Sequence, residues 1–324
     1  MQSIKIYQQI IHEAVTKFDF PHEPRNLYDP IRYLLDIGGK RIRPSLTLLA
    51  AEMFGADASK ALPSALAIEV FHNFSLMHDD IMDKAPLRRG RDTVHEKWNA
   101  NTAILSGDFM LIHSYTLLAQ NSPNLIPSLL DIFNRTAAEV CIGQQLDMDY
   151  EKAQNVAIND YLEMIRLKTA VLIGTALQLG AMVAGAEKTQ AELLYHYGVN
   201  LGIAFQLQDD YLDAYGDPIK FGKQLGGDIL ENKKTYLLIK ALELSNEVDR
   251  KEILYWLQQT EYDPTEKINA IMGFYDKLKI QKYIKREIQM YTDKAYQALE
   301  KITLYKKRKE PLLQLSEELL NRKA

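Results

Sequence analysis

The sequence predicts an all-α protein, and three observations carry that prediction. Apolar residues recur at helical spacing along nearly the whole length. No convincing strand alternation or Asn-Gly hairpin turn interrupts them. No Pro/Gly/Ser-rich linker or low-complexity run divides the chain, so residues 1–324 read as a single domain.

Taken in order, Ser3–Phe18 and Asn26–Ile37 are amphipathic, and Gly38-Gly39 stops the second. Pro44 sits in the first turn of a helix that restarts at Arg43 and runs through Phe54. Ala61–Asp83 is long and apolar and ends in a cluster of aspartates. Leu87–Val94 is a basic loop, and Asn101–Gln120 and Asn124–Tyr150 are helices on either side of Pro123. Ile158–Ala186 and Gln190–Tyr215 follow, the latter with a second aspartate cluster. Asp217–Asn232 is glycine-rich and irregular, and from Thr235 onward come four or five shorter, more charged amphipathic helices.

With 47% hydrophobic and 25% charged residues, the composition is that of a soluble globular protein able to bury a large core. A net charge of −4 offers no basic face for nucleic acid, and Lys306-Lys307-Arg308-Lys309 reads as a solvated surface. The single cysteine, Cys141, excludes an internal disulfide and a cysteine zinc cluster and fits a reducing cytoplasm. The first residues lack the apolar region of a signal peptide. Thr169–Ala186 carries no charge and reaches the length of a transmembrane candidate. Gln178, three glycines and the segment's isolation fit a helix buried in a bundle instead, so no membrane span is expected.

The chemistry lies in the two acid clusters, FHNFSLMHDDIMD over Phe71–Asp83 and GIAFQLQDDYLD over Gly202–Asp213. Each has two adjacent aspartates and a third three residues on: Asp79, Asp80 and Asp83, then Asp209, Asp210 and Asp213. On a helix, Asp79 and Asp83 share a face roughly 6 Å apart, and so do Asp209 and Asp213. Paired carboxylates at the end of an apolar stripe repel each other, and a hard divalent cation relieves that repulsion. Mg²⁺ suits such a site, because it binds one or two carboxylates together with substrate phosphate oxygens. The plain alternative is two acidic patches on solvated helix ends.

Cations accompany the acids. GGKRIRP, Gly38–Pro44, places Lys40, Arg41 and Arg43 around a helix start with open N–H groups, an anion site by charge and by dipole. Its spacing is not that of a P-loop. Arg88-Arg89 offers two planar forks for phosphate. Lys168-Thr169 opens the uncharged helix, and Lys223 lies within and Lys233 just beyond FGKQLGGD, where a loop could close over a ligand. Together these describe a site for two polyanions, one held by metal and one by cations.

GGKRIRP, HDDIMD with the trailing LRRG, GQQLD at Gly143–Asp147, Lys168-Thr169 and FQLQDD at Phe205–Asp210 occur in an order that resembles the trans-isoprenyl diphosphate synthases, also called polyprenyl synthetases. The resemblance covers Ile31 to about Thr235 and is closest to the short-chain geranylgeranyl and farnesyl diphosphate synthases. It implies the all-α isoprenoid synthase bundle with a deep central cavity, a homodimer, and three Mg²⁺ ions. Asp79, Asp83 and Asp209 would bind the metal, with Asp80, Asp210 and Asp213 acting through water or through neighbours. Arg88, Lys168, Thr169, Gln206, Lys223 and Lys233 match positions that touch the allylic diphosphate. Lys40, Arg43, His72 and Arg89 match those that hold isopentenyl diphosphate. Gln144 and Asp147 line the cavity without a firm role.

The implied reaction is a head-to-tail condensation in which the allylic carbon–oxygen bond ionises and the alkene attacks. Phe74 lies five residues before Asp79, about 7.5 Å along the axis, while Ser75 is small. In the family a ring at that position alone goes with a twenty-carbon product, so geranylgeranyl diphosphate is expected. Farnesyl diphosphate or a longer polyprenyl product is the alternative, and Phe74 as plain core packing is the bland reading. A terpene cyclase or head-to-head synthase would not need Lys40, Arg43 and Arg89. A non-catalytic subunit of a heteromeric synthase would not need both acid clusters.

Overall fold

The computed structural model describes residues 2–216 and 225–320. Apart from one short hairpin, the regular elements among them are helices. They form two compact units.

The first unit comprises Met1–Thr136, Leu172–Tyr195 and Ile302–Leu315. It begins with α1 (Gln2–Thr16), α2 (Arg25–Ile37), α3 (Ile42–Met53) and, after a 3₁₀ turn, α4 (Leu62–Met82). Then come α5 (Val94–Lys97), α6 (Ala100–Leu118) and the first part of α7 (Ile126–Lys152). Helix α4 packs against α1, α2, α3, α5 and α6, most extensively against α6. It can be central because it is apolar nearly all round: Ala65, Ile68, Val70, Phe71 and Met77 are all buried. Gly38, at φ 75°, caps α2, and its N–H reaches Leu35 O at 3.3 Å, as the glycine pair led one to expect.

The stretch expected to be a basic loop contains an antiparallel hairpin, Leu87–Arg88 (β1) paired with Arg91–Asp92 (β2). Its two turn residues, Arg89 at φ 54° and Gly90 at φ 77°, both lie in the left-handed region, the turn geometry that matches strand twist. Arg-Gly is a weaker signal for that turn than Asn-Gly, so the hairpin was not legible.

The uncharged stretch belongs to a helical segment, Ile158–Val183, long and apolar enough to cross a membrane, yet 83% of its most apolar window is buried. Two details explain the composition of its second half, α9 (Val171–Val183). A Cβ on Gly180 would lie 2.9 Å from Ala50 Cβ and overlap the Thr47 carbonyl, so α3 and α9 meet backbone to backbone. The buried Thr175 hydroxyl is satisfied by Thr136 at 2.6 Å.

The second unit comprises Ala137–Val171, His196–Lys301 and Ser316–Ala324. It holds the rest of α7, α8 (Ile158–Ile165), a π turn at Arg166–Ala170 and the later part of α10 (Lys188–Tyr215). Shorter helices follow at Gly227–Leu230, Tyr236–Leu244, Glu247–Gln258, Pro264–Lys277 and Ile280–Glu300. The described part of the segment expected to be irregular thus contains a helical turn. Asn246 and Asp263 accept N–H bonds from the first turns they precede, and Pro264 stands at the start of its helix, so both starts are written locally. Tyr236–Leu244 is the hub, packing on α8, Pro264–Lys277 and Ile280–Glu300.

Candidate active site

In the first unit, Asp79 and Asp83 stand one turn apart at the C-terminal end of α4, where the Asp83 N–H bonds Asp79 O at 2.9 Å. The carbonyl end of a helix carries partial negative charge. Three aspartates there oppose the dipole, so the arrangement favours a cation. Asp80 is turned inward, 3% exposed, and its carboxylate grips Arg88: Nε donates at 2.8 Å and Nη2 at 2.6 Å. Burial works against the Arg88 charge, but Asp80, with Asp79 and Asp83, outweighs it and raises its pKa. Asp80 therefore aims an arginine.

The cations of GGKRIRP divide. Arg41, at φ 48° and buried, ion-pairs with buried Glu69 and donates to Leu35 O at 2.7 Å. Asn73 donates to the same Glu69 carboxylate at 2.8 Å. Arg41 is therefore a structural pin rather than part of the anion site expected for it. Lys40 is exposed, and Arg43 donates to His72 Nε2 at 3.2 Å. Because arginine only donates, that bond places the His72 proton on Nδ1. Burial, and then the Arg43, Arg89, Arg88 and Arg41 charges, hold the His72 pKa well below its usual value. Arg89 is packed over Gly39: a Cβ there would lie 2.5 Å from its Nη1, so a side chain at that position would push the guanidinium aside. Burial and the Arg88 and Arg41 charges lower the Arg89 pKa. Cations crowded this closely suit an incoming polyanion.

Phe74 is half-buried on α4, its ring 5.5 Å from Phe71 and 4.8 Å from His78, and Phe71 meets Phe133 at 5.3 Å. His78 bonds Ile104 O at 3.1 Å, and Gly107 of α6 leaves room for its ring. The Ser75 hydroxyl donates to His72 O at 2.8 Å.

In the second unit, Asp209, Asp210 and Asp213 lie at the C-terminal end of α10, again against the helix dipole. Asp210 is 5% exposed and accepts from the Tyr161 hydroxyl and from Gln206 Nε2, the latter at 3.2 Å. Burial, then the Asp228 charge, raise the Asp210 pKa to about 8 and that of Asp213 to about 6. Asp213 accepts the Asp228 N–H at 3.1 Å. Lys233 ion-pairs with Glu231 at 2.8 Å and Asp228 at 3.4 Å, which raises its pKa despite burial. Lys168 lies in the π turn and donates to Asp147 Oδ2 at 2.6 Å, with Thr169 next to it. Such bulges are frequent at functional sites. This one presses on α7 at Gly143, where a Cβ would lie 2.7 Å from Leu167 C and Lys168 Cα. Gln144 is half-buried beside that glycine. Lys223 falls outside the described residues.

Among the described residues no three acidic, histidine or cysteine side chains converge on one point. Each unit instead presents carboxylates one helical turn apart at a helix end. That donor set suits Mg²⁺, which keeps several waters and completes its shell with substrate phosphates. Sequence reasoning missed Tyr161, Asp228 and Glu231. Nothing in linear spacing marks a tyrosine that will cap an aspartate 49 positions away. Asp228 had a signal, following two glycines in the stretch already singled out.

The polyprenyl synthetase family profile matches residues 24–273. A geranylgeranyl diphosphate synthase from Methanosarcina mazei is 42% identical over 228 residues, 70% of each chain. A geranylgeranyl pyrophosphate synthase from Geoglobus acetivorans is 42% identical over 248 residues, 76% of this chain and 77% of the relative. The crystal structure of a geranylgeranyl pyrophosphate synthase superposes with a TM-score of 0.94 at 46% identity, covering 100% of both chains.

Proposed function

Because this chain belongs to the polyprenyl synthetase family, we propose that it condenses isopentenyl diphosphate head-to-tail with dimethylallyl, geranyl and farnesyl diphosphates, ending at geranylgeranyl diphosphate. The observation that carries this reading is the placement of both acid clusters at helix C-termini, where carboxylates are disfavoured unless a cation joins them. The two relatives' names and the ring of Phe74 support the twenty-carbon end point.

Asp79, Asp83 and Asp209 hold Mg²⁺, three ions in all, which when bound neutralises charge on the departing pyrophosphate. Arg88, aimed by Asp80, and Lys168, aimed by Asp147, add fixed positive charge to the leaving group, and Thr169, Gln206, Lys233 and Lys223 bind the allylic diphosphate. Asp210 and Asp213 act as partners within the second cluster rather than as direct ligands. Lys40, Arg43 and Arg89 bind isopentenyl diphosphate, and neutral His72 donates from Nδ1. As the allylic carbon–oxygen bond breaks, the isopentenyl alkene attacks the allylic cation, and a proton passes to the released pyrophosphate. Phe74 stops the growing tail.

The chain acts as one catalytic domain, and the enzyme is a cytoplasmic homodimer. Ile104, Leu105 and Ile112 support the dimer: they share an outward face of α6 and are 44%, 60% and 63% exposed. Sedimentation of a variant with Leu105→Lys would give a monomer. The main test is incubation with labelled isopentenyl diphosphate and each allylic diphosphate, with Mg²⁺ or with a chelator. The expected product is twenty carbons long and metal-dependent. A hydrocarbon made without isopentenyl diphosphate, or no condensation at all, would overturn the reading.

A further inference from the structure

Lys267, on the helix Pro264–Lys277, is completely enclosed, 0% exposed, yet has no carboxylate partner among the described residues. Its ammonium donates to Asn232 Oδ1 at 2.8 Å and Leu230 O at 3.4 Å, and stands 4.1 Å from the centre of the Tyr262 ring. Burial lowers its pKa. An enclosed charge with only neutral partners costs stability, so the geometry it imposes on those partners has to be worth something else.

The partners belong to one short segment. Leu230 O also accepts the Tyr262 hydroxyl at 3.1 Å. Asn232, held at φ 55°, donates from Nδ2 to Leu257 O at 3.2 Å. Gly226, at φ 78°, lies against Ile268, whose Cγ1 would be 2.9 Å from a Cβ there. Residues 257–268 therefore grip Gly226–Asn232 at three points. The gripped segment carries Asp228, whose N–H meets Asp213, and it leads directly into Lys233, whose backbone N–H bonds Asp228 O at 2.9 Å.

We propose that Lys267 is a positioning residue: by fixing Leu230 and Asn232 it sets where Lys233 presents its ammonium to the allylic diphosphate. The proposal rests on the reading that Lys233 touches that diphosphate. It makes the C-terminal helices, which match none of the recognised motifs, responsible for shaping one wall of the pocket.

A purely structural role predicts something different. An enclosed charge with only neutral partners costs stability, so its replacement by an apolar side chain of similar volume, Lys267→Met, would leave a sound enzyme. Positioning predicts instead a selective kinetic fault. In Lys267→Met the melting temperature stays within about 3 °C of the parent. The KM for farnesyl diphosphate rises on the order of ten-fold, the loss of one hydrogen bond to a charged group, and that for isopentenyl diphosphate is unchanged. Asn232→Ala, which removes that bond together with the one to Leu257 O, gives the same split and decides the matter should Lys267→Met fail to fold. The double variant is no worse than Asn232→Ala alone. Lys233 reactivity toward acetic anhydride, followed by mass spectrometry without substrate, changes in both variants. Unaltered allylic KM in a folded variant, or both KM values rising together, overturns the proposal. Should the parent enzyme make no prenyl diphosphate, the functional reading fails, and Lys233 acetylation alone judges the clamp.

Discussion

Gly143→Ala tests the local geometry that delivers Lys168. The added methyl would lie 2.7 Å from both Leu167 C and Lys168 Cα and would overlap the Lys168 nitrogen. These are backbone atoms, so no side chain can swing aside, and α7 and the π turn must separate. Overpacking against a close-packed interior costs about 3 kcal/mol at the upper end of its usual range. For a chain of this length that corresponds to a melting temperature lower by ~4 °C. Separation also stretches the 2.6 Å Lys168–Asp147 bond, so catalysis suffers beyond the stability loss. The assay is thermal unfolding beside steady-state kinetics on purified protein at a temperature where both forms are folded. A Gly143→Ala protein that melts within about 1 °C of the parent with the same allylic KM would refute the close approach.

Four further outcomes follow from the same geometry. Asp209→Asn lowers metal-dependent turnover by at least about a hundred-fold, and titrating Mg²⁺ against both forms checks it; equal Mg²⁺ dependence would remove Asp209 as a ligand. Phe74→Ala lengthens the product past twenty carbons in extraction and chromatography, and an unchanged product would leave Phe74 as packing alone. Arg41→Met strands Glu69 in the interior and costs about 3–5 kcal/mol in urea unfolding. Joining it to Glu69→Met recovers most of that loss. His72 is held neutral in the fold, whereas an unfolded histidine takes a proton near pH ~6.5. The unfolded state then binds more protons below that pH, so stability falls as pH drops from about 7 toward 5, by at most about 1.4 kcal/mol per pH unit. Denaturant titrations at those pH values should show a shallower fall in His72→Asn.

Much of the site is written locally, and the reason is periodicity. The positions Asp79 and Asp83 fall on one face of any helix, and so do Asp209 and Asp213, whatever surrounds them. Gly38 ends α2 and Pro264 starts its helix through backbone preferences that operate within a turn. These features were therefore available from residue order alone, as was the apolar character that makes α4 and α9 interior helices. What spacing could not decide was the division of labour within each cluster. Arg41 and Arg43 are two residues apart, yet one is consumed by Glu69 and the other bonds His72. Asp80 is buried and hydrogen-bonded to Arg88 at 2.6 Å, whereas its neighbour Asp79 lies 3.8 Å from the same guanidinium, and Asp210 is capped by a tyrosine from another helix. The close approach of the π turn at Lys168 to Gly143 and the clamp of Lys267 on Leu230 and Asn232 likewise depend on neighbours distant along the chain. Helical identity is settled over one or two turns of backbone. Which charge is neutralised and which stays available is settled by burial and by partners that only packing brings within hydrogen-bond reach.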